Sequence, residues 1–272
     1  MQCEFLQPSK TAVVTGAASG IGLAACRRFA ALGMNVVMAD IEAEVLGEAA
    51  DQLTGEASRA GGEVAARPAD VGKADDVAAL ADFAFDQFGR TDFLMNNAAI
   101  RVAGGDTEDI ANWRRTMGVN FWAAVYAERA FLPRMLKQGE PAAIVNTGSK
   151  QGITNPPGNL IYNVTKSAIK TYTEGLQHQL RNTRGCQVNA HLLVPGWTTT
   201  GDREHKPGAW LPEQVVDRLV VALENGDFYI ICPDDEVTPE MDHRRMLWGV
   251  GDIIENRPPL SRWHPDWKDK FR

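Results

Sequence analysis

Seven short runs rich in apolar and β-branched residues, set between longer segments of helical periodicity, constrain this chain more than any other feature. They are TAVVT at 11–15, NVVMAD at 35–40, EVAARPAD at 63–70, DFLMN at 92–96, AAIVNT at 142–147, QVNAHLLVP at 187–195 and FYIIC at 228–232. Strands alternating with helices imply βαβ crossovers and a parallel sheet. Several runs are apolar at consecutive positions, as strands covered by helices on both faces are. The predicted fold class is therefore α/β, a doubly wound parallel sheet. With 272 residues, 44% of them hydrophobic, the chain is long enough to close one such domain. That domain is expected over 1–232, followed by a C-terminal extension over 233–272 that packs on it or on a neighbouring subunit.

Two stretches break the alternation. GWTTTGDREHKPGAWLP at 196–212 is too polar and too rich in Gly and Pro for an element interior, and reads as a long loop of the kind that covers a site. After Cys232 the composition shifts again, with one helix expected around 238–250 and an irregular tail beyond it.

A formal net charge of −7, with 28 scattered Lys and Arg, argues against nucleic acid and anionic lipid as partners. No window approaches a membrane span and no signal-peptide pattern opens the chain. Cys3, Cys26, Cys186 and Cys232 have no CxxC spacing and read as reduced thiols, so a cytoplasmic location is expected. His178, His191, His205, His243 and His264 lack any HxxH or HExxH spacing, and no metal is expected. Ser149 lacks the G-x-S-x-G setting of a hydrolase nucleophile, and Trp113 and Trp122 read as helix-face packing.

The first strand runs into TGAASGIG, which places Gly16, Gly20 and Gly22, with Ser19 and Ile21 between them, in the turn before a helix. Glycine allows the backbone to approach a phosphate, and the helix N-terminus offers free N–H groups and partial positive charge. A dinucleotide pyrophosphate fits there, although an ordinary strand-to-helix turn would look similar. Asp40, about 20 residues on at the end of the second strand, can accept bonds from the adenosine ribose hydroxyls and would repel a 2′-phosphate. It can equally cap the helix that follows. No Arg or Lys occupies 17–19 or 41–44, so NAD is favoured over NADP.

In IYNVTKSAIK at 161–170, Tyr162 and Lys166 stand four apart, so a helix would bring phenol and ammonium onto one face. Taken alone, this is a chance surface pair or an acid–base centre. TGAASGIG, ADV at 69–71, NNAA at 96–99, Asn120, Ser149, YNVTK at 162–166 and PGWTTT at 195–200 together resemble the short-chain dehydrogenase/reductase family, in that family's order, over about residues 8–232.

The resemblance implies a Rossmann-like sheet that binds NAD, a small-molecule alcohol or ketone as substrate, and a homo-oligomer, tetramer or dimer. It implies that Asp70 and Val71 border the adenine, that Asn97 and Ala98 lie beside the cofactor, and that Pro195, Gly196 and Thr198 line the nicotinamide under a closing loop. Asn120, Ser149, Tyr162 and Lys166 would form the catalytic set, with Tyr162 and Lys166 also touching the cofactor. An unperturbed tyrosine is mostly protonated at neutral pH. A nearby Lys166 ammonium and a cationic nicotinamide favour the phenolate, which suits Tyr162 as general base, or as acid in the reverse direction. Ser149, at a carboxyl strand edge, can hold the substrate oxygen, and Asn120 would bend its helix or hold a relay water.

Ala99 stands where the family usually has glycine. Lys150, after the serine, is expected to add a charge near the substrate mouth. Trp197, Trp210, Trp248, Trp263 and Trp267 would either wall an apolar pocket for a bulky or ring-containing substrate or anchor a subunit interface. An NAD-sensing module of the same fold and an NADP-preferring carbonyl reductase are the alternatives, the former expected to lack the Tyr or the Lys.

Overall fold

The computed structural model describes residues 3–101, 108–201 and 204–271. Its centre is a seven-stranded, all-parallel sheet in the order β3-β2-β1-β4-β5-β6-β7. The strands are β1 (Thr11–Thr15), β2 (Asn35–Asp40), β3 (Val64–Pro68), β4 (Phe93–Asn96), β5 (Ala142–Thr147), β6 (Val188–Val194) and β7 (Tyr229–Ile231). Helices α1 (Gly20–Ala31), α2 (Ala43–Ala60) and α3 (Ala74–Phe88) connect the first four strands. They are followed by α4 (Ile110–Met117), α5 (Ala123–Gln138), the short α6 (Gln151–Thr154), α7 (Leu160–Asn182), α8 (Pro212–Glu224) and α9 (Pro239–Ile254).

Consecutive strand residues point to opposite faces, and both faces are dry. Val14, Met38, Met95 and Val145 pack with Phe29, Leu46 and Leu219 on one side. Their sequence neighbours Val13, Val37, Leu94 and Ile144 pack with Leu80, Phe131, Met135 and Leu176 on the other. This accounts for the apolar runs without alternation, because a strand between two helical layers has no polar face. The strand order runs outward from β1 in two opposite senses, to β2 on one side and β4 on the other, and this switch opens a crevice at the carboxyl edge, where doubly wound sheets take ligands.

Three expected elements differ in detail. The third strand stops at Pro68, because Asp70 turns the chain by accepting the Gly72 N–H at 3.0 Å. The helix expected around Asn120 is interrupted by a π-helical turn at Gly118–Trp122 that holds this residue. The last long helix runs to Ile254 rather than 250. Thr238 starts it, its hydroxyl accepting the Met241 N–H at 3.3 Å, and Pro239 opens the first turn.

Candidate active site

The carboxyl ends of β1, β4, β5 and β6 share one edge, and a cleft of about 1380 Å³ lies above it. That exceeds the usual size of a pocket for one small ligand and leaves room for a cofactor and a substrate together. Thr15, the last residue of β1, ties the edge together: its hydroxyl accepts the N–H of Asn97 at 3.0 Å and of Ala98 at 3.2 Å. Asn97 returns the contact, its amide donating to the carbonyls of Thr15 at 3.1 Å and Gly16 at 3.3 Å.

The glycine turn is closed to any larger residue. Gly16 holds φ at +66°, and a Cβ there would lie 2.8 Å from the Ala98 backbone. A Cβ on Gly22 would meet the Gly16 carbonyl oxygen at 2.0 Å. Ser19, the N-cap of α1, makes no side-chain bond to the helix, and Gly16, Ser19, Gly20 and Ile21 line the cleft. A tight cradle at an uncapped helix N-terminus fits a pyrophosphate.

Asp40 does not cap α2. Its carboxylate accepts the Ala18 N–H of the glycine turn at 3.0 Å and the Glu42 N–H at 3.2 Å, which aims it at the cradle. Asp70 and Val71 line the same end of the cleft. Lys73 beside them is paired with Asp70 at 3.4 Å.

On the other side, α7 carries Tyr162 and Lys166 onto the cleft wall with Ser149. Lys166 is buried, 2% exposed, and its ammonium donates to the Thr147 carbonyl at 2.8 Å. Burial lowers its pKa, while the neighbouring Tyr162 acts in the opposite sense. The Tyr162 ring is flanked by two cations, with Lys166 Nζ 5.6 Å and Arg101 Cζ 4.6 Å from its centroid. Ser149 accepts the Gln151 N–H at 3.2 Å and so starts α6.

Asn120 is buried behind this wall, not on it. Its amide spans the Ile100 backbone, accepting the N–H at 2.8 Å and donating to the carbonyl at 2.9 Å, and also donates to the Thr165 hydroxyl at 3.1 Å. It joins α7 to the loop after β4. The π turn supplies the altered helical phase such a side chain needs.

Pro195, Gly196 and Thr198 lie on the cleft at the end of β6. The expected lid follows; its residues 202–203 lie outside the described residues. Its two ends are pinned together, since Thr199 N–H donates to the Trp210 carbonyl at 2.9 Å and Trp210 N–H to the Trp197 carbonyl at 2.8 Å.

Lys150 departs from expectation. It is not a free charge at the mouth: its ammonium sits 2.6 Å from Asp242 and 3.3 Å from Asp234, with all three side chains largely buried. Asp234 also accepts the Trp197 N–H at 3.1 Å, so the extension is fastened to the residue that follows Ser149 and to the start of the lid.

For the tryptophans, the pocket alternative holds for one ring. Only Trp197 of the five lines the large cleft. Trp210 packs against the core and donates to Asp235 at 3.1 Å. Trp248 donates to Ser261 at 2.7 Å and lies under Arg257, while Trp263 and Trp267 lie under Arg262 and Lys270. These rings hold the tail to itself. Sequence spacing carries no sign of Asp234, Arg101, Arg245 or Arg262 as cleft residues, because each reaches it from a segment remote from the motifs.

The family model for short chain dehydrogenases matches residues 10–207. The chain belongs to the short-chain dehydrogenase/reductase family. It is 37% identical over 254 residues, 89% of this chain and 91% of the relative, to the 1-deoxy-11-beta-hydroxypentalenate dehydrogenase of Streptomyces avermitilis. Identity to the Streptomyces exfoliatus enzyme of the same name is 38% over 195 residues, 71% of this chain and 68% of that one. Among solved structures, a short-chain dehydrogenase/reductase from Burkholderia phymatum in complex with NAD superposes with a TM-score of 0.81 at 31% identity, covering 94% of this chain and 97% of that chain. As a member of this family the chain is an oxidoreductase of hydroxyl and keto groups with a nicotinamide cofactor.

Proposed function

We propose that this short-chain dehydrogenase/reductase interconverts a secondary alcohol and its ketone with NAD, using Tyr162 as general acid and base. The observation that carries the reading is the Tyr162 ring with both Lys166 and Arg101 beside it on the wall of a cleft that the glycine cradle also lines. When bound, the nicotinamide supplies the hydride acceptor. Tyr162 takes the hydroxyl proton as the alcohol is oxidised, and the flanking cations stabilise the resulting phenolate. Ser149 donates to the substrate oxygen, and Lys166, held by the Thr147 carbonyl, fixes the height of α7 against the sheet. Asp40 at the cradle supports NAD over NADP, since a carboxylate there accepts bonds from ribose hydroxyls and repels a 2′-phosphate.

The cleft volume supports a bulky or ring-containing substrate. The Streptomyces relatives are named as dehydrogenases of a hydroxyl-bearing compound, which accords with that chemistry. A homo-oligomer is part of the same proposal: it would cover Leu247, Val250, Ile253 and Ile254, which α9 leaves exposed. Sedimentation of the full chain as a monomer at micromolar concentration removes that part.

NADH formation with a panel of secondary alcohols, from small aliphatic to polycyclic, with NADP+ in parallel, tests the activity. Tyr162→Phe should keep NADH affinity and lose about 10²- to 10⁴-fold in kcat. Retained turnover would take Tyr162 out of its role.

A further inference from the structure

Arg245 of α9 and Arg262, in the short 3₁₀ turn Ser261–Trp263, reach the wall of the large cleft from the C-terminal extension. The chain carries a net charge of −7, yet eight Lys and Arg against three Asp line the cleft, so its charge is opposite to that of the protein. Two of those acids, Asp40 and Asp70, belong to the adenosine end. The third, Asp234, is held by Lys150, as is Asp242 one helical turn before Arg245.

Arg245 makes no hydrogen bond, ion pair or ring contact among the described residues, and its Nε is shielded from solvent with no acceptor. Arg262 stacks over the Trp263 ring, 3.9 Å from its centroid, and forms no ion pair among the described residues. Burial, then the charge of Arg245, lowers its pKa to about 10, with Asp242 opposing. Two guanidiniums thus face one cleft without carboxylates of their own, and a shielded donor is costly until an acceptor arrives.

The position of the pair separates it from the pyrophosphate cradle. Arg245 and Arg262 also share a small cavity with Thr154 of α6, the helix that begins just after Ser149. They stand on the substrate side, at the β5 end of the edge. The planar fork of a guanidinium matches a carboxylate through two parallel bonds.

We propose that Arg245 and Arg262 receive a carboxylate on the substrate, remote from the carbon that is oxidised, which makes the substrates hydroxy acids or keto acids. This deepens the dehydrogenase reading above and rests on it.

The test uses the full chain loaded with NAD+, and 4-hydroxycyclohexanecarboxylate together with larger bicyclic hydroxy acids, each beside its methyl ester. Turnover is read as NADH formation, and binding by calorimetry, which needs no chemistry. The acids should exceed their esters by about ten-fold or more in kcat/KM and in affinity. In Arg245→Gln/Arg262→Gln the ratio should fall to near one through KM, with kcat on the acid largely kept, and Arg262→Lys should restore part of it. Equal use of acid and ester, no binding of any acid, or an acid preference that survives the double variant overturns the inference. A matching loss of NADH affinity in the double variant would assign the arginines to the cofactor and also overturn it. Acids that bind through the arginines but never yield NADH would leave this receptor standing and sink the dehydrogenase reading instead.

Discussion

Removing the Lys150 ammonium should be among the most damaging single changes outside the apolar core. Asp234 and Asp242 have side chains only 3% and 1% exposed, and one ammonium neutralises both. Asp242 has no hydrogen bond besides this ion pair, so Lys150 is its direct partner and the charge of Arg262 acts on it only from further away. Lys150→Met leaves two like charges buried together, and breaking such a pair typically costs about 3–5 kcal/mol. At about 2–4 °C per kcal/mol for a chain near this size, the melting temperature should fall by roughly 6–20 °C. The assay is calorimetric unfolding of wild type, Lys150→Met and Lys150→Met/Asp234→Asn/Asp242→Asn at one scan rate. The triple variant removes the stranded charges and should recover most of the loss, since a buried ionic cluster replaced as a whole is often neutral. A Lys150→Met protein that melts within about 3 °C of wild type, or a triple variant no better than the single one, would refute the view that this cluster fastens the extension.

Two other changes have signed outcomes. Asp40→Ala removes the carboxylate beside the cradle, and the ratio of NADP+ to NAD+ kcat/KM should rise about ten-fold or more; an unchanged ratio would separate Asp40 from cofactor choice. His191 is buried, its ring nitrogen bonded to the Asp227 carbonyl at 2.9 Å, and burial lowers its pKa from 6.5. The unfolded chain then binds the proton more readily than the folded one, so His191 costs stability as pH falls through 6.5 toward its lower folded value. His191→Asn should flatten that part of the stability profile, read as melting temperature from pH 8 down to 5, and a profile parallel to wild type would show that another group sets it.

What was legible in the sequence depends on how locally each feature is encoded. The strands, the glycine turn and the Tyr162–Lys166 face follow from spacings of two to four residues, where backbone geometry decides which side chains meet. Asn120 was legible as a helix position but not as a clamp on Ile100, because the π turn that aims it depends on packing rather than pattern. The Lys150 cluster joins positions 84 residues apart, so neither partner carries a local mark of the other. The tryptophans stayed open between two readings for a related reason: a ring's preference for an apolar wall does not say which wall, and here cations of the same tail cover three of them.

This division follows the chemistry of the site. The groups expected to move a proton and hold a dinucleotide sit on strand ends and one helix face, where the fold itself sets their distances. The groups proposed for the substrate end reach the cleft from α9 and the turn beyond it, in an extension fastened by the ion pairs of Lys150, which other residues could replace. Substitutions in 233–272 that spare Asp234 and Asp242 should therefore change which alcohol is accepted and leave the acid–base geometry intact, so that KM and substrate range respond while the Tyr162 requirement persists. A tail variant that folds and binds NADH, yet abolishes turnover of every substrate in the panel, would show that the extension shapes the reacting centre as well.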